Sequence, residues 1–383
     1  MANSEPARSY GGLRVLVAGG GVAGLETLLA LRALAGDLVD LELLAPEPRF
    51  WYRPLAVAEP FGAGCAPSLE LAAIAESVGA AFMLGRLASV DDERRIARTE
   101  HAAELGYDAL VIACGALPRP ALEGALTFRG PADSEAFRRL LDETQLRQDV
   151  QSVAFVVPTR VSWPLPAYEL ALQTAAYLDE RDRHVELAVV TPETAPLAQF
   201  GEAATDVVWR LLTERAISFH GGRHATRYEN GRLELVPHAT LAADRVVALP
   251  RLEAPRILGV PQDEDGFIAT DLSGRIHGLT HAYAAGDVTQ FAIKQGGIAS
   301  QQADAVAEVL AAEAGAPVQP HRFEPVLRGL LLTGEGPRYL RARVHGGHGS
   351  TSVASTEPLW WPPAKIVGRH LAPFLASVAG KAD

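Results

Sequence analysis

Apolar runs separated by proline and glycine turns divide the chain into alternating strand-like and helix-like stretches. Val15-Leu16-Val17-Ala18 is a continuous apolar run of strand length, and beyond it Leu25, Leu28, Leu29 and Ala33 recur at helical spacing as far as Gly36. Val39-Asp40-Leu41-Glu42-Leu43-Leu44 predicts a second strand, and prolines make Pro46 to Pro60 a loop. A helix over Ser68 to Val78, a strand within Phe82 to Val90 and polar turns near Asp91 to Arg95 follow. Tyr107 to Ala116 predicts another buried strand, ending in small residues. The proline-rich passage Pro118 to Gly130 reads as a linker.

A second unit opens at Val153-Ala154-Phe155-Val156-Val157, with a helix over Tyr168 to Leu178 and a strand over Val185 to Val190. Asp206 to Arg215 predicts a helix, and Arg232 to Val236 and Ala243 to Leu249 predict strands. Gly266 to Asp271 reads as a turn followed by alternation. His281 to Ala285 then forms a strand that runs into Gly286-Asp287. A long helix from Ile298 to Glu313 stops at Gly315 and Pro317. The last stretch, Ile366 to Val378, predicts a short amphipathic helix with Ile366, Leu371, Phe374 and Leu375 on one side. Buried strands alternating with helices place the chain in the α/β class, with parallel sheets.

The turn after the first strand changes this outline into a candidate site. Gly19, Gly21 and Gly24 sit between a strand and a helix, the arrangement of a dinucleotide-binding βαβ unit. Gly19 allows the tight turn, Gly21 lets the backbone approach a pyrophosphate, and Gly24 lets the helix pack on the strand. The N–H groups at Val22 and Ala23 and the helix dipole then face an anion. An acid about 20 residues further on usually holds a ribose, but that position is Ala45; Glu47 takes the role from the loop or remains a solvated carboxylate. The second unit has Pro158-Thr159-Arg160-Val161-Ser162-Trp163-Pro164-Leu165-Pro166 where glycines would be expected. Side chains and prolines without N–H groups block a pyrophosphate there.

Composition narrows the function classes. The 383 residues suit two or three domains at about 150 each. A net charge of −11 argues against nucleic-acid binding. Met1 to Gly12 lacks the apolar core of a signal peptide, and no window approaches the ~20 apolar residues of a membrane span, so a cytoplasmic protein is expected. The three lysines are Lys294, Lys365 and Lys381, against 35 lysines and arginines together. Cys65 and Cys114 cannot form a disulfide framework, and their simplest role is as reduced thiols. His220 with His224, and His345 with His348, lack carboxylate or cysteine companions, so no metal site is expected.

Taken together, the chain resembles the flavoproteins with two dinucleotide-binding domains, the pyridine nucleotide-disulfide oxidoreductase-like family. The branch it most resembles holds sulfide:quinone reductases, flavocytochrome sulfide dehydrogenases and type II NADH dehydrogenases. The matching pieces are the glycine turn, Phe50-Trp51-Tyr52-Arg53-Pro54, Tyr107 to Gly115, Tyr283-Ala284-Ala285-Gly286-Asp287 and the Lys294-Gln295-Gly296 helix start. Their order and spacing cover about four-fifths of the chain. The resemblance implies FAD as cofactor, held by Gly19, Gly21, Val22, Ala23, Gly24, Glu47, Arg53, Pro54, Cys114, Gly115, Gly286, Asp287, Lys294, Gln295 and Gly296. Asp287 would bind the ribityl chain or orient groups near the phosphates. Lys294 and the helix dipole would stabilise negative charge on reduced flavin.

Departures from the family matter equally. No CxxC pair exists, and no cysteine follows Cys114, so a persulfide-forming sulfide oxidase is not expected. The family's first such cysteine would fall near Ser162-Trp163. Trp163 either covers the flavin face where nicotinamide would stack or packs a domain interface. Cys65, beside Gly62 and Gly64, is the more reactive of the two thiols. Lys294 and Trp163 are therefore the candidate catalytic residues.

The expected architecture is two Rossmann-like domains plus a C-terminal extension: an FAD-binding domain from 12–125 and 265–320, a second domain from 126–264 without its glycine fingerprint, and a C-terminal interface or flavin-covering segment from 321–383. That segment carries Arg328, Arg338, Arg341, Arg343 and Trp360-Trp361-Pro362-Pro363-Ala364-Lys365. Packing on the body, a homo-oligomer contact and a membrane-peripheral contact are its open roles. The expected function is an FAD-dependent oxidoreductase that passes electrons between a small-molecule donor and a quinone or other small acceptor without a cysteine relay. A diverged NAD(P)H:acceptor reductase and a redox-responsive flavin-bound binding module are the alternatives.

Overall fold

In the computed structural model, residues 11–161, 163–345 and 348–379 are described. The polar N-terminal stretch up to residue 10, Ser162, Lys381 and the side chains of His345 and His348 lie outside the described residues. The chain begins with β1 (Leu13–Ala18), α1 (Val22–Ala35), β2 (Val39–Ala45), β3 (Ala81–Leu84) and β4 (Ala109–Ile112). It continues with β5 (Ser152–Val156), α2 (Leu165–Asp179), β6 (Glu186–Val190), β7 (Ile217–His220) and β8 (Arg245–Ala248). Then come β9 (Ala282–Ala284) and α3 (Gly296–Glu313), followed by β10 (Val326–Leu331), β11 (Arg338–His345), β12 (His348–Ser355) and α4 (Leu371–Ala379).

Two five-stranded parallel sheets organise these elements. The first has the order β9-β4-β1-β2-β3, so its last-made strand forms one edge, with Ala282 opposite Leu110. The second runs from the two-residue strand Leu126–Thr127 through β8, β5, β6 and β7. Alternation across the pleat sorts each strand between two apolar layers. Val15 and Val17 join Leu25, Leu28, Val306 and Leu310 on the helix side of the first sheet. Leu16 and Ala18 join Leu110, Ile112 and Tyr107 on the other. Residues 23–31 of α1 are all buried because the helix lies between the sheet, α3 and α4.

Two expectations need correcting, and further elements were not anticipated. Within Pro46 to Pro60 there is no plain loop: Arg49–Trp51 is a strand and Arg53–Phe61 a 3₁₀ helix, which accepts Pro54 in its first turn. The passage Pro118 to Gly130 is more than a linker, since it supplies the edge strand of the second sheet, and Leu117–Arg119 pairs antiparallel with Arg251–Glu253. Two paired residues are too few to leave a periodic signal. The chain before the last helix forms the antiparallel sheet β10-β11-β12, whose alternation of Leu340 and Ala342 with exposed Arg341 and Arg343 is visible in the sequence. The helix Ser134–Leu146 has no counterpart in the sequence reading.

Candidate functional site

At the carboxyl end of β1 the chain turns where no side chain fits. Gly19 has φ +133° and donates its N–H to the Leu44 carbonyl at 2.7 Å; a Cβ there would lie 2.1 Å from the Ala113 carbonyl oxygen. A Cβ on Gly24 would lie 1.8 Å from the Gly19 carbonyl oxygen, so the helix can approach the strand only with glycine. Gly21 differs: a Cβ there would meet nothing within 4 Å. It begins α1, whose first turn holds no acid and receives no side-chain cap. The open space over Gly21, beside uncapped helix-terminal N–H groups at Val22 and Ala23, is a cradle that suits an anionic pyrophosphate.

The turn after β9 completes this cradle from far along the chain. Gly286, at φ +82°, packs so near α1 that a Cβ would lie 2.9 Å from that of Ala23, and its N–H goes to Gln302 Oε1 at 2.8 Å. Asp287 follows, half-buried, with Lys294 and Arg53 as its charged neighbours. Burial raises the Asp287 pKa above the usual carboxylate range, and the two cations oppose that rise.

Lys294 stands 3.9 Å over the Phe267 ring and donates to the Thr289 carbonyl. Burial lowers its pKa to about 8, against the pull of Asp287 and Asp263. Gln295 caps α3 by accepting the Ile298 N–H at 2.8 Å, and its amide donates to the Arg328 carbonyl at 3.1 Å. Gly296 rests on Ile366, where a Cβ would come within 2.9 Å. Together these residues fit a flavin dinucleotide: glycines at the phosphates, a carboxyl at the joining turn, and a cation with a helix terminus beyond it.

The remaining candidates fall at varied distances from this cradle. Cys114 donates its thiol to the Ala18 carbonyl at 3.3 Å, and burial pushes its pKa up to about 12. Gly115 follows with φ +67°. Glu47 is exposed in the loop after β2, and Ala45 is buried at the strand end with its carbonyl receiving the Gly85 N–H at 2.8 Å. Arg53 is exposed, whereas Pro54 turns its carbonyl to Lys365 Nζ at 3.0 Å. Cys65 is exposed. Trp163 tilts against Phe200, ring centroids 5.6 Å apart, within an apolar cluster that reaches Val57, Ile293 and Ile298. Among the described residues, no group of three or more His, Cys, Asp or Glu could hold a metal ion.

The equivalent turn of the second sheet carries prolines and a buried tyrosine in place of glycines. Pro164 precedes α2 and Pro166 lies in its first turn, removing donors from the helix terminus. Tyr168, fully buried, donates its hydroxyl to Glu193 at 2.7 Å, and Thr191 donates to the same carboxylate oxygen at 3.2 Å. Burial pushes Glu193 up to about 7 despite these bonds.

Local pattern did not single out the polar groups that join distant segments. Lys365 Nζ reaches both carboxylate oxygens of Glu169, at 2.6 and 2.8 Å, with Lys365 8% and Glu169 1% exposed. Burial pushes the Glu169 carboxyl up and the Lys365 ammonium down, and each charge opposes the other's neutralisation. Tyr52 accepts the Ile366 N–H at 2.8 Å. The scarcity of lysine was the one available sign that Lys365 mattered.

The model of the family "Pyridine nucleotide-disulphide oxidoreductase" matches residues 13–303. A comparison with curated proteins finds no match. Among solved structures, the fold is similar to the sulfide:quinone oxidoreductase of Aquifex aeolicus, with TM-score 0.80 and 21% identity over 90% of this chain and 86% of that one. It is also similar to a ferredoxin reductase for the CYP199A2 system from Rhodopseudomonas palustris, with TM-score 0.66 and 22% identity over 87% and 83%. A NAD-dependent persulfide reductase from A. fulgidus aligns with TM-score 0.63 and 18% identity over 87% of this chain and 64% of that chain. At these identities the likeness is one of fold. No helix among the described residues is long and apolar enough to cross a membrane.

Proposed function

The chain belongs to the pyridine nucleotide-disulphide oxidoreductase family and is an FAD-dependent oxidoreductase, and we propose that it passes electrons between a small-molecule donor and a quinone or other small acceptor without a cysteine relay. The observation that carries this proposal is the contrast between the open glycine turn at Gly21 and a second turn in which prolines flank the helix start and Tyr168 is bound to Glu193. FAD, when bound, supplies a ring that takes up and returns electrons. Gly19, Gly21, Val22, Ala23, Gly24, Gly286 and Asp287 would hold it, with Arg53, Pro54, Cys114, Gly115, Gln295 and Gly296 around it and Glu47 as the outlying candidate.

The chain's own residues supply binding and charge. Lys294 carries a positive charge below about pH 8 and loses it above, beside the positive end of α3. Absence of a relay is supported by the thiols themselves: Cys114 is bound to the Ala18 carbonyl with a raised pKa, and Cys65 lies on an exposed loop. Trp163 and Lys294 remain the candidate residues at the reacting face. Trp361, 85% exposed in the C-terminal segment, is the candidate membrane-peripheral contact.

An anaerobic reduction panel tests this function on the purified yellow protein. NADH and NADPH should leave the flavin absorbance unbleached, while a soluble quinone analogue should rapidly reoxidise photoreduced flavin. Fast bleaching by either nicotinamide would establish an NAD(P)H:acceptor reductase instead. A flavin inert to nicotinamides, quinones, quinols and sulfide would leave a redox-responsive binding module.

A further inference from the structure

Away from the cradle, α1, α3 and the start of α4 meet around two acids, Glu26 buried and Asp304 half-buried. Glu26, in the second turn of α1, is 0% exposed. Its two carboxylate oxygens accept the backbone N–H groups of His370 at 2.7 Å and Leu371 at 2.9 Å, so it caps the last helix from another part of the chain. Gly368 passes so close that a Cβ there would lie 2.1 Å from Glu26 Oε2. Asp304, on α3, lies within hydrogen-bonding reach of the Glu26 carboxyl. Its Oδ1 is buried, and no donor faces it.

Among the described residues, no cation donates to that oxygen. Arg369 Nη1 is engaged by Glu308 at 2.8 Å, and its Nε stands 4.0 Å from Asp304 Oδ2. Glu308 also accepts the backbone N–H of His321 at 2.8 Å and lies 3.0 Å from that ring's Nδ1. The His370 ring, with Nε2 buried and unpartnered, is driven toward its neutral form by burial. With both acids ionised, the buried Oδ1 of Asp304 has no donor; a single proton between the two carboxylates provides it.

We propose that Glu26 and Asp304 share one proton, and that this proton fastens the C-terminal strap, residues 368–379, to the start of α1. Loss of the proton to solvent leaves two negative charges facing each other, and the strap detaches from Glu26. Glu26 and Asp304 are positioning residues acting through the strap. Burial, then the Glu26 charge, push Asp304 up to about 8, against the opposing pull of Arg369. An acid whose pKa is raised by folding contributes its full stabilisation below the unfolded pKa, here about 4, and loses it progressively as pH rises from there through the folded value.

Hydrogen exchange of the flavin-loaded full chain, followed by mass spectrometry from pH 6 to 9.5 and referred to intrinsic rates, tests the proposal. In the wild type, protection in the peptide containing residues 370 and 371 should fall about tenfold for each pH unit from pH 6 up to about 8 and level off above about 8. Asp304→Asn keeps an amide donor beside Glu26, and its protection should stay flat over the same range. A flat wild-type profile, or a parallel fall in the variant, overturns the proposal. Should the variant not fold, infrared spectra of the wild type decide: a protonated-carboxyl band present at pH 7 and lost by pH 9 is expected, and its absence at pH 7 is fatal. Either readout is independent of the electron donor and acceptor.

Discussion

The two parallel sheets share the order of four strands and differ in the origin of the fifth, edge strand and at their mouths. In the first, the strand-to-helix turn is glycine, and a Cβ at Gly21 would meet nothing within 4 Å. In the second, the same turn is built of prolines, and the helix after it sends Tyr168 into a hydrogen bond with Glu193. One backbone plan thus yields an anion cradle or a turn without one, according to whether donors and space are left at a helix terminus. The fold sets where a ligand could sit; a few residues at the turn decide whether it does.

The largest effect that would break this comparison is expected at Gly24. Its substitution by alanine puts a Cβ 1.8 Å from the Gly19 carbonyl oxygen and should leave purified protein colourless, as judged by flavin absorbance per chain. Gly21→Ala should instead give a folded protein with reduced FAD content, because the new methyl group clashes with no protein atom but fills the open space. Equal FAD content in Gly21→Ala and wild type would remove that space from the cofactor site.

Next in size comes the ion pair that ties the regions together. Lys365→Met strands Glu169 without its cation and should lower stability to denaturant by about 3–5 kcal/mol. The double variant with Glu169→Leu should recover much of that loss. If Lys365→Met unfolds with the wild-type midpoint, the pair is not a structural tie.

Lys294→Met addresses the open mouth alone. Because the ammonium is charged below about pH 8, the variant's flavin midpoint potential at pH 7 should be lower, by about 30 mV for each ~1.4 kcal/mol of stabilisation lost. The wild-type and variant potentials should converge as pH rises past about 8. Coincident potentials at pH 7 would separate Lys294 from the redox site. The smallest effect is expected at the second mouth, where Tyr168→Phe should cost about 1 kcal/mol in thermal unfolding. It should not confer bleaching by NADH, since the prolines remain.

Where chemistry depends on neighbours in sequence, the chain was legible. The run from Val15 to Gly24 announces strand, turn and helix because hydrophobic period and glycine placement are local signals. Gly286-Asp287 and the helix after Lys294 were readable for the same reason, although only the resemblance to known flavoproteins joined them to the first turn. Proline misled in two places: it begins the 3₁₀ helix at Arg53–Phe61 and is tolerated in the first turn of α2, so both helices start earlier than their apolar pattern suggests. The pairing of Lys365 with Glu169 across 196 positions, or of Ile366 with Tyr52 across 314, leaves no periodic trace. The same holds for Glu26, which reads locally as an exposed helix acid until α3 and α4 cover it.

The placement of β9 at the edge of the first sheet, beside β4, also constrains the order of biosynthesis. Glycine turn and closing turn are separated by the whole second sheet, so an emerging chain presents Gly19 long before Gly286 exists. At roughly 5–20 residues per second, that interval is on the order of tens of seconds. Throughout it, one side of β4 is an unpaired sheet edge open to pairing with another nascent chain. Growth at lowered translation rate should therefore lengthen the exposed period, and a chaperone that covers β4 would act on this protein before any flavin does.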